Sequence, residues 1–370
     1  MHESAMAALY RVAEQRGASG LSAAATSDGA LIFEGALGYR DKEHALPATP
    51  NTIYRLASVT KHLSAMTLMT LVDEGKAELD ADISDYLGYS VRNPRWPGVP
   101  ITLRQLMTHT STLSENGSYN KILAGELPAF KLSEILPPGS PGDAPANWLP
   151  ERPGTRYEYS SFGSGVMGTV AECITGVRFA ELVKQRLFAP LGLNDATLDA
   201  DTLHGLEVAV PDASGGIGDA DWLKKSLANK KQLCAMPVGE AYRSAQGNGY
   251  MRARDLLTVT QLLLNGGVSN GVRILSKSAV NEMCAVHFED SLIKTGLNLM
   301  HYDHLSLQPL IGHYGRAFGA QAIFMFDPHT KNAAAVLCNG ADMASDGRGI
   351  YCNTLFCTQA MQALWAACFH

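Results

Sequence analysis

Strand-forming sequence lies near both ends of this chain, and helix-forming sequence fills the middle. Near the start, LSAAATSDGALIFEGALGYRD holds two strand-like runs around Ser27-Asp28-Gly29, a good hairpin turn. Near the end, FGAQAIFMF and NAAAVLCNG flank Asp327-Pro328 in the same manner. Strands so far apart are most simply joined in one antiparallel sheet. The expectation is therefore an α/β (α+β) fold, an antiparallel β-sheet flanked by helices with an inserted, mostly helical domain. Residues 1–75 and 246–370 would form a discontinuous α/β domain, and residues 76–245 the helical one. MHESAMAALYRVAEQRGASG reads as an amphipathic first helix and TLFCTQAMQALWAACF as an amphipathic last one. Between them, helices are expected over Leu103–Met107, Phe162–Ile174 and Phe179–Leu187, separated by Pro- and Gly-rich loops such as LPPGSPGDAPANWLPERPG.

Charge and cysteine usage narrow the function. The net charge is −6 and the basic residues are scattered, which argues against nucleic acid and anionic membrane as partners. No apolar run approaches the roughly 18 residues of a membrane span. The N-terminal stretch carries charges throughout and does not read as a secretory signal. The seven cysteines are odd in number and widely spaced, which fits reduced thiols in a cytoplasmic protein. No CxxC pair and no HExxH spacing occurs, so neither a metal nor another cofactor is expected.

Ser58-Val59-Thr60-Lys61 opens a stretch to Glu74 that is nearly apolar on every face and stops at Gly75, the pattern of a buried helix. Spacing of three places Ser58 and Lys61 on one helix face. A serine hydroxyl needs a nearby base to act as a nucleophile, and desolvation favours the neutral amine of a lysine. Free N–H groups at the helix start can also stabilise an oxyanion. Ser-x-x-Lys alone is common by chance, so its position on a buried helix carries the argument. Tyr157-Glu158-Tyr159-Ser160-Ser161 precedes a helix, and a tyrosine near a lysine ammonium can shuttle a proton. Gly312-His313-Tyr314-Gly315-Arg316 enters the strand FGAQAIFMF, where glycine lets the backbone come close to a ligand.

In this order the three segments resemble the penicillin-binding-protein-like superfamily, which includes class C β-lactamases, D-amino-acid amidases and aminopeptidases, and family VIII carboxylesterases. YRLASVTK, ITLRQLMTHTSTL, PGTRYEYSSFGSGVMG, LFAPLGLNDA, RARDLLTVTQLLLNGG and GHYGRAFGAQ all look like its recurring segments, so the resemblance covers nearly the whole chain. It implies that Ser58 is the acylated nucleophile, Lys61 its activating partner and Tyr159 the proton shuttle. His313-Tyr314-Gly315 matches the Lys/His-x-Gly strand motif. The N–H groups of Ser58 and Arg316 would line an oxyanion hole, with Ser161, His313, Tyr314 and Gly315 around the substrate. Lys294-Thr295-Gly296 also spells a family motif, but it lies upstream of the sheet entry, and Lys294 is expected at the surface.

Two positions depart from the family pattern. Ser161 stands where Asn is usual, and a hydroxyl spans fewer partners than an amide. His313 stands where β-lactamases commonly carry Lys, which removes a fixed positive charge. The implied function is a serine hydrolase that cleaves a small ester, amide or short peptide through an acyl-Ser58 intermediate, with carboxylesterase favoured. The alternatives are a D-stereospecific amidase or aminopeptidase, a weak β-lactamase, a transacylase and a non-catalytic peptide-binding member. His109 is expected to be a hydrogen-bonded structural residue. Trp148 and Tyr119 are read as packing groups with a possible place in the cleft. Oligomeric state is unreadable.

Overall fold

The computed structural model describes residues 2–212, 228–347 and 353–369. Small and apolar residues alternate along its strands with a period of two, and the two sets feed two separate cores. The central strands are β1 (Gly20–Ser27), β2 (Ala30–Asp41), β7 (Leu310–Ala317), β8 (Ala320–Asp327) and β9 (Asn332–Cys338). Four short strands extend the sheet: β3 (Leu46–Pro47), β4 (Phe288–Glu289), β5 (Lys294–Thr295) and β6 (Met300–Tyr302). Among the described residues they form a nine-stranded sheet in the order β3-β2-β1-β9-β8-β7-β6-β5-β4. All its neighbouring pairs are antiparallel. Strand β1 pairs with β9 from Leu21↔Cys338 to Ser27↔Asn332, so the two ends of the chain meet in the middle of the sheet. The β1–β2 turn uses Asp28 and Gly29 at φ of 44° and 84°, the left-handed pair that a tight hairpin requires.

Along β8, Ile323 and Met325 point to one face and Ala322, Phe324 and Phe326 to the other. The first face is covered by α1 (His2–Gln15) and the last helix of the chain, α5 (Leu355–Phe369), through Leu9, Phe356 and Leu364. The second face meets α2 (Thr60–Asp73) and α4 (Ala253–Leu264) in a larger core that continues to α3 (Ser161–Thr175). Each fully buried Phe of β8 contributes about 1.5–3 kcal/mol of burial free energy. Helix α2 is buried on all sides from Thr60 to Leu71, which explains its lack of a polar face.

Between residues 76 and 245 the described chain is helix and loop with isolated bridges only. Local chemistry sets these elements. Thr102 and Gln105 form a reciprocal capping box on the helix Leu103–Met107. Ser160 caps α3, and Gly176 at φ 68° ends it. The helix expected over Phe179–Leu187 begins as Phe179–Val183 and widens into a π-helical turn, Lys184–Phe188.

One expectation is corrected. Residues 312–316 do not merely lead into the strand FGAQAIFMF; they form the body of a separate strand, β7, paired with β8 from Ile311↔Phe326 to Ala317↔Ala320. Lys294 lies at the surface, as expected: it sits in β5, between β4 and β6, and its exposed ammonium pairs with Glu289 at 3.0 Å. The six cysteines among the described residues are free thiols, and Cys352 lies outside those residues.

Candidate active site

Ser58 lies in a 3-10 turn, Ala57–Val59, that leads directly into α2. The turn is tight enough to hold Ala57 at φ 46°, a left-handed value that non-glycine residues seldom adopt. Thr60 locks it: its Oγ1 donates to Ala57 O at 2.7 Å and accepts from Gly249 N at 2.9 Å. Ser58 is 7% exposed. Lys61, on the first turn of α2, is fully buried. Its Nζ donates to Ser58 Oγ at 3.1 Å and to Gln246 O at 2.8 Å, which aims the amine at the hydroxyl.

Tyr159 reaches the same point from the loop ahead of α3. Its ring centre lies 5.0 Å from Lys61 Nζ. His109 supports it, with ring centroids 4.4 Å apart. His109 sits at φ 56°, accepts Ser160 N–H on Nδ1 at 3.2 Å, and gives its own carbonyl to Glu158 N at 2.9 Å. The tyrosine loop is thus held by the side chain and the backbone of one residue. Ser161 begins α3, and its N–H donates to the Glu115 carboxylate.

Strand β7 forms the opposite wall. His313 and Gly315 pair with Phe324 and Ala322, so they share the face that looks toward α2. Gly315 presses against the Ser58 turn: a Cβ there would stand 2.2 Å from Leu56 O and 3.0 Å from the amide nitrogens of Ser58 and Val59. Only glycine permits this approach. His313 Nδ1 donates to Tyr314 O at 2.5 Å. Burial, then the positive charge of Lys61, depresses the His313 imidazole to about 3. The same two causes hold His109 well below its usual value. Lys61 is therefore flanked by neutral imidazoles.

Of the residues picked out from sequence, Ser58, Lys61, Tyr159, His313 and Gly315 come together here. Tyr314 does not bring its side chain: it points to the far face, 1% exposed, edge-to-face with Tyr302 at 5.1 Å. The alternation of a strand dictates this once 312–316 are a strand. Arg316 is half-buried, and its guanidinium makes no hydrogen bond or ion pair with a described residue. Tyr119 is buried rather than in the cleft, hydrogen-bonded to Gln246 and Arg243, and Trp148 is 7% exposed. Sequence reasoning missed Gln246, because its part is played by a backbone carbonyl that leaves no signature in residue type. Glu115 was also missed; it lies two residues beyond the segment ITLRQLMTHTSTL. Beside Tyr159 a cavity of about 470 Å³ opens, lined by Glu115, Asn116, Glu158, Asp290 and Leu292. Among the described residues no group of metal-ligating side chains is present, and no helix is long and apolar enough to cross a membrane.

A hydroxyl, an amine within hydrogen-bonding reach of it and a tyrosine against the amine form an acyl-transfer constellation. The profile of the beta-lactamase family matches residues 5–351. The chain belongs to that family. Its members are serine hydrolases of beta-lactamase-like type, acting on small esters or amides, and the family name is not itself an activity. Protein Rv1367c of Mycobacterium tuberculosis (strain ATCC 25618 / H37Rv) is 26% identical over 278 residues, 68% of this chain and 64% of that protein. The chain thus spans just under two thirds of that relative's length. Esterase EstB of Burkholderia gladioli is 30% identical over 177 residues, 45% of this chain and 44% of the esterase. The crystal structure of D-amino acid amidase from Ochrobactrum anthropi SV3 superposes with a TM-score of 0.68 at 22% identity, covering 98% of this chain and 97% of the amidase. That likeness extends to the whole fold, sheet and helices together.

Proposed function

We propose that the protein is a carboxylesterase that works through an acyl-Ser58 intermediate. The observation that carries this reading is the 3.1 Å contact from Lys61 Nζ to Ser58 Oγ on a turn pressed against Gly315. Ser58 Oγ attacks the ester carbonyl and its proton passes to Lys61. The oxyanion is met by the N–H of Ser58 and that of Arg316. Tyr159 passes a proton to the departing alkoxide, the C–O bond breaks, and water then releases the acid from Ser58. Esters are favoured over amides because the Ser161 hydroxyl makes no hydrogen bond with a described residue, so help to the leaving group rests on Tyr159. A neutral His313 supplies no fixed cation for a β-lactam carboxylate.

A second reading, amide or peptide hydrolysis at a D-amino-acid residue, is favoured by one observation. Glu115, Glu158 and Asp290 line the cavity beside Tyr159, where a substrate ammonium would find opposite charge. The test is parallel turnover of a short-chain p-nitrophenyl ester, a D-amino-acid amide and nitrocefin, with Ser58→Ala alongside. Ester turnover should exceed amide turnover and fall by roughly a thousandfold or more in Ser58→Ala. Faster amide turnover would establish the second reading, and a fluorophosphonate that fails to label Ser58 would sink both.

A further inference from the structure

The nucleophile turn has a second side, away from the Ser58 cleft. Arg55 is 6% exposed. Its Nε and Nη2 donate to Gly247 O at 3.3 and 3.2 Å, and its guanidinium lies over the Phe318 ring at 4.5 Å. No carboxylate among the described residues pairs with it. Lys230, on the helical segment 228–234, makes no hydrogen bond or ion pair with a described residue. Both line a cavity of about 590 Å³, together with Asn248 and Tyr250. Arg243 lies near enough to repel both cations. Its own partners are the neutral Tyr119 and Gln246, and its Nε is buried without one.

The acids in the cavity wall are committed elsewhere. Glu172 accepts from Phe179 N and Gly239 N, both at 2.8 Å. Asp199 caps the turn Ala200–Thr202, and Asp201 lies 3.7 Å from Lys231. Burying cations without a counter-charge is costly. Burial first, then Arg55, pushes the Lys230 ammonium down to about 7. An anion in the cavity would relieve both costs at once. The volume is larger than a bare ion needs and suits a small organic molecule.

We propose that this cavity binds the carboxylate or phosphate end of a small organic molecule on Arg55 and Lys230, at a site separate from Ser58. Guanidinium and ammonium together suit either oxyanion, the fork by paired hydrogen bonds and the ammonium as a point charge. The site borders the reaction centre through one peptide unit, since Gln246 O accepts from Lys61 and the neighbouring Gly247 O accepts from Arg55.

The test is isothermal titration of inorganic phosphate and of glutarate at constant ionic strength. The titrations use the wild type, Ser58→Ala, Lys230→Met and Lys230→Arg, with folding checked by circular dichroism. One-site saturable binding of at least one probe is expected in the wild type and unchanged in Ser58→Ala, whether or not the esterase reading holds. The tighter probe tells phosphate from carboxylate. Affinity should fall roughly tenfold in Lys230→Met and persist in Lys230→Arg. The proposal is overturned if the wild type shows no saturable heat with either probe, if binding disappears in Ser58→Ala, or if Lys230→Met binds as well as the wild type. It fails equally if Lys230→Arg loses as much affinity as Lys230→Met.

Discussion

Gly315 and Ala57 each hold their place in the site for a backbone reason. Ala57 bends the chain at φ 46° so that Ser58 stands ahead of α2, and Gly315 lets strand β7 lie against that bend. In Gly315→Ala the new methyl would meet Leu56 O at 2.2 Å, so strand and turn must part. The N–H groups of Ser58 and Arg316 would separate with them. Turnover should fall on the order of a hundredfold, the usual cost of losing one oxyanion donor, with a stability loss of about 1–3 kcal/mol. Steady-state kinetics beside a denaturant titration checks both, and an active, equally stable variant would refute the close approach. Legibility at this scale followed the kind of contribution each residue makes. The pair Ser58 and Lys61 was readable because helical spacing brings two side chains together. Gln246 was not, since its carbonyl holds Lys61 whatever its side chain is. Tyr314 was expected around the substrate, but strand alternation turns its side chain to the far face.

Elements marked by capping chemistry were read accurately, and those decided by their neighbours were not. The helix Leu103–Met107 matched residue for residue because Thr102 and Gln105 announce it. Ser160 sets the start of α3: its Oγ accepts from Gly163 N at 2.9 Å, and the helix begins one residue before the expected Phe162. Ser160→Ala should lower stability by about 1 kcal/mol, readable as a shift in the denaturant midpoint at unchanged m-value. An unchanged midpoint would mean that the cap adds nothing. Because Ser160 also gives its N–H to His109, this variant leaves the support of Tyr159 in place. Strand β7 was expected only through its likeness to the family's strand motif, because Gly312 and Gly315 are poor strand formers; pairing with β8 imposes the conformation on them. The π-helical turn Lys184–Phe188 has no local signal either.

At the scale of the molecule, three neutral histidines tie stability to pH. Burial is the largest cause in each: His62 is lowered to about 4, His313 to about 3, and His109 well below its usual value. Unfolded, they would take up protons near pH 6.5. The unfolded chain therefore binds more protons below that point, and folding free energy is lost as pH falls from about 6.5 toward 4. Each histidine contributes a slope of roughly 1.4 kcal/mol per pH unit in that window. Thermal unfolding between pH 7 and pH 4.5, where most carboxylates are still ionised, should show Tm dropping steadily. A flat Tm would mean that the histidines are protonated in the fold. The architecture of one sheet built from both ends of the chain was legible, since hairpin signals stood at each end. The short strands β3 to β6 were not, because two or three residues carry no period.

The same pairing of β1 with β9 has a consequence for how the protein is made. The ribosome delivers Ser58 and Lys61 early, but Gly315 and the wall it belongs to emerge more than 250 residues later. At about 5–20 residues per second, Ser58 exists for tens of seconds without the strand that packs against its turn. A nascent chain therefore carries Ser58 and Lys61 before the wall they face, and the proposed site is complete only when β7 to β9 close the sheet.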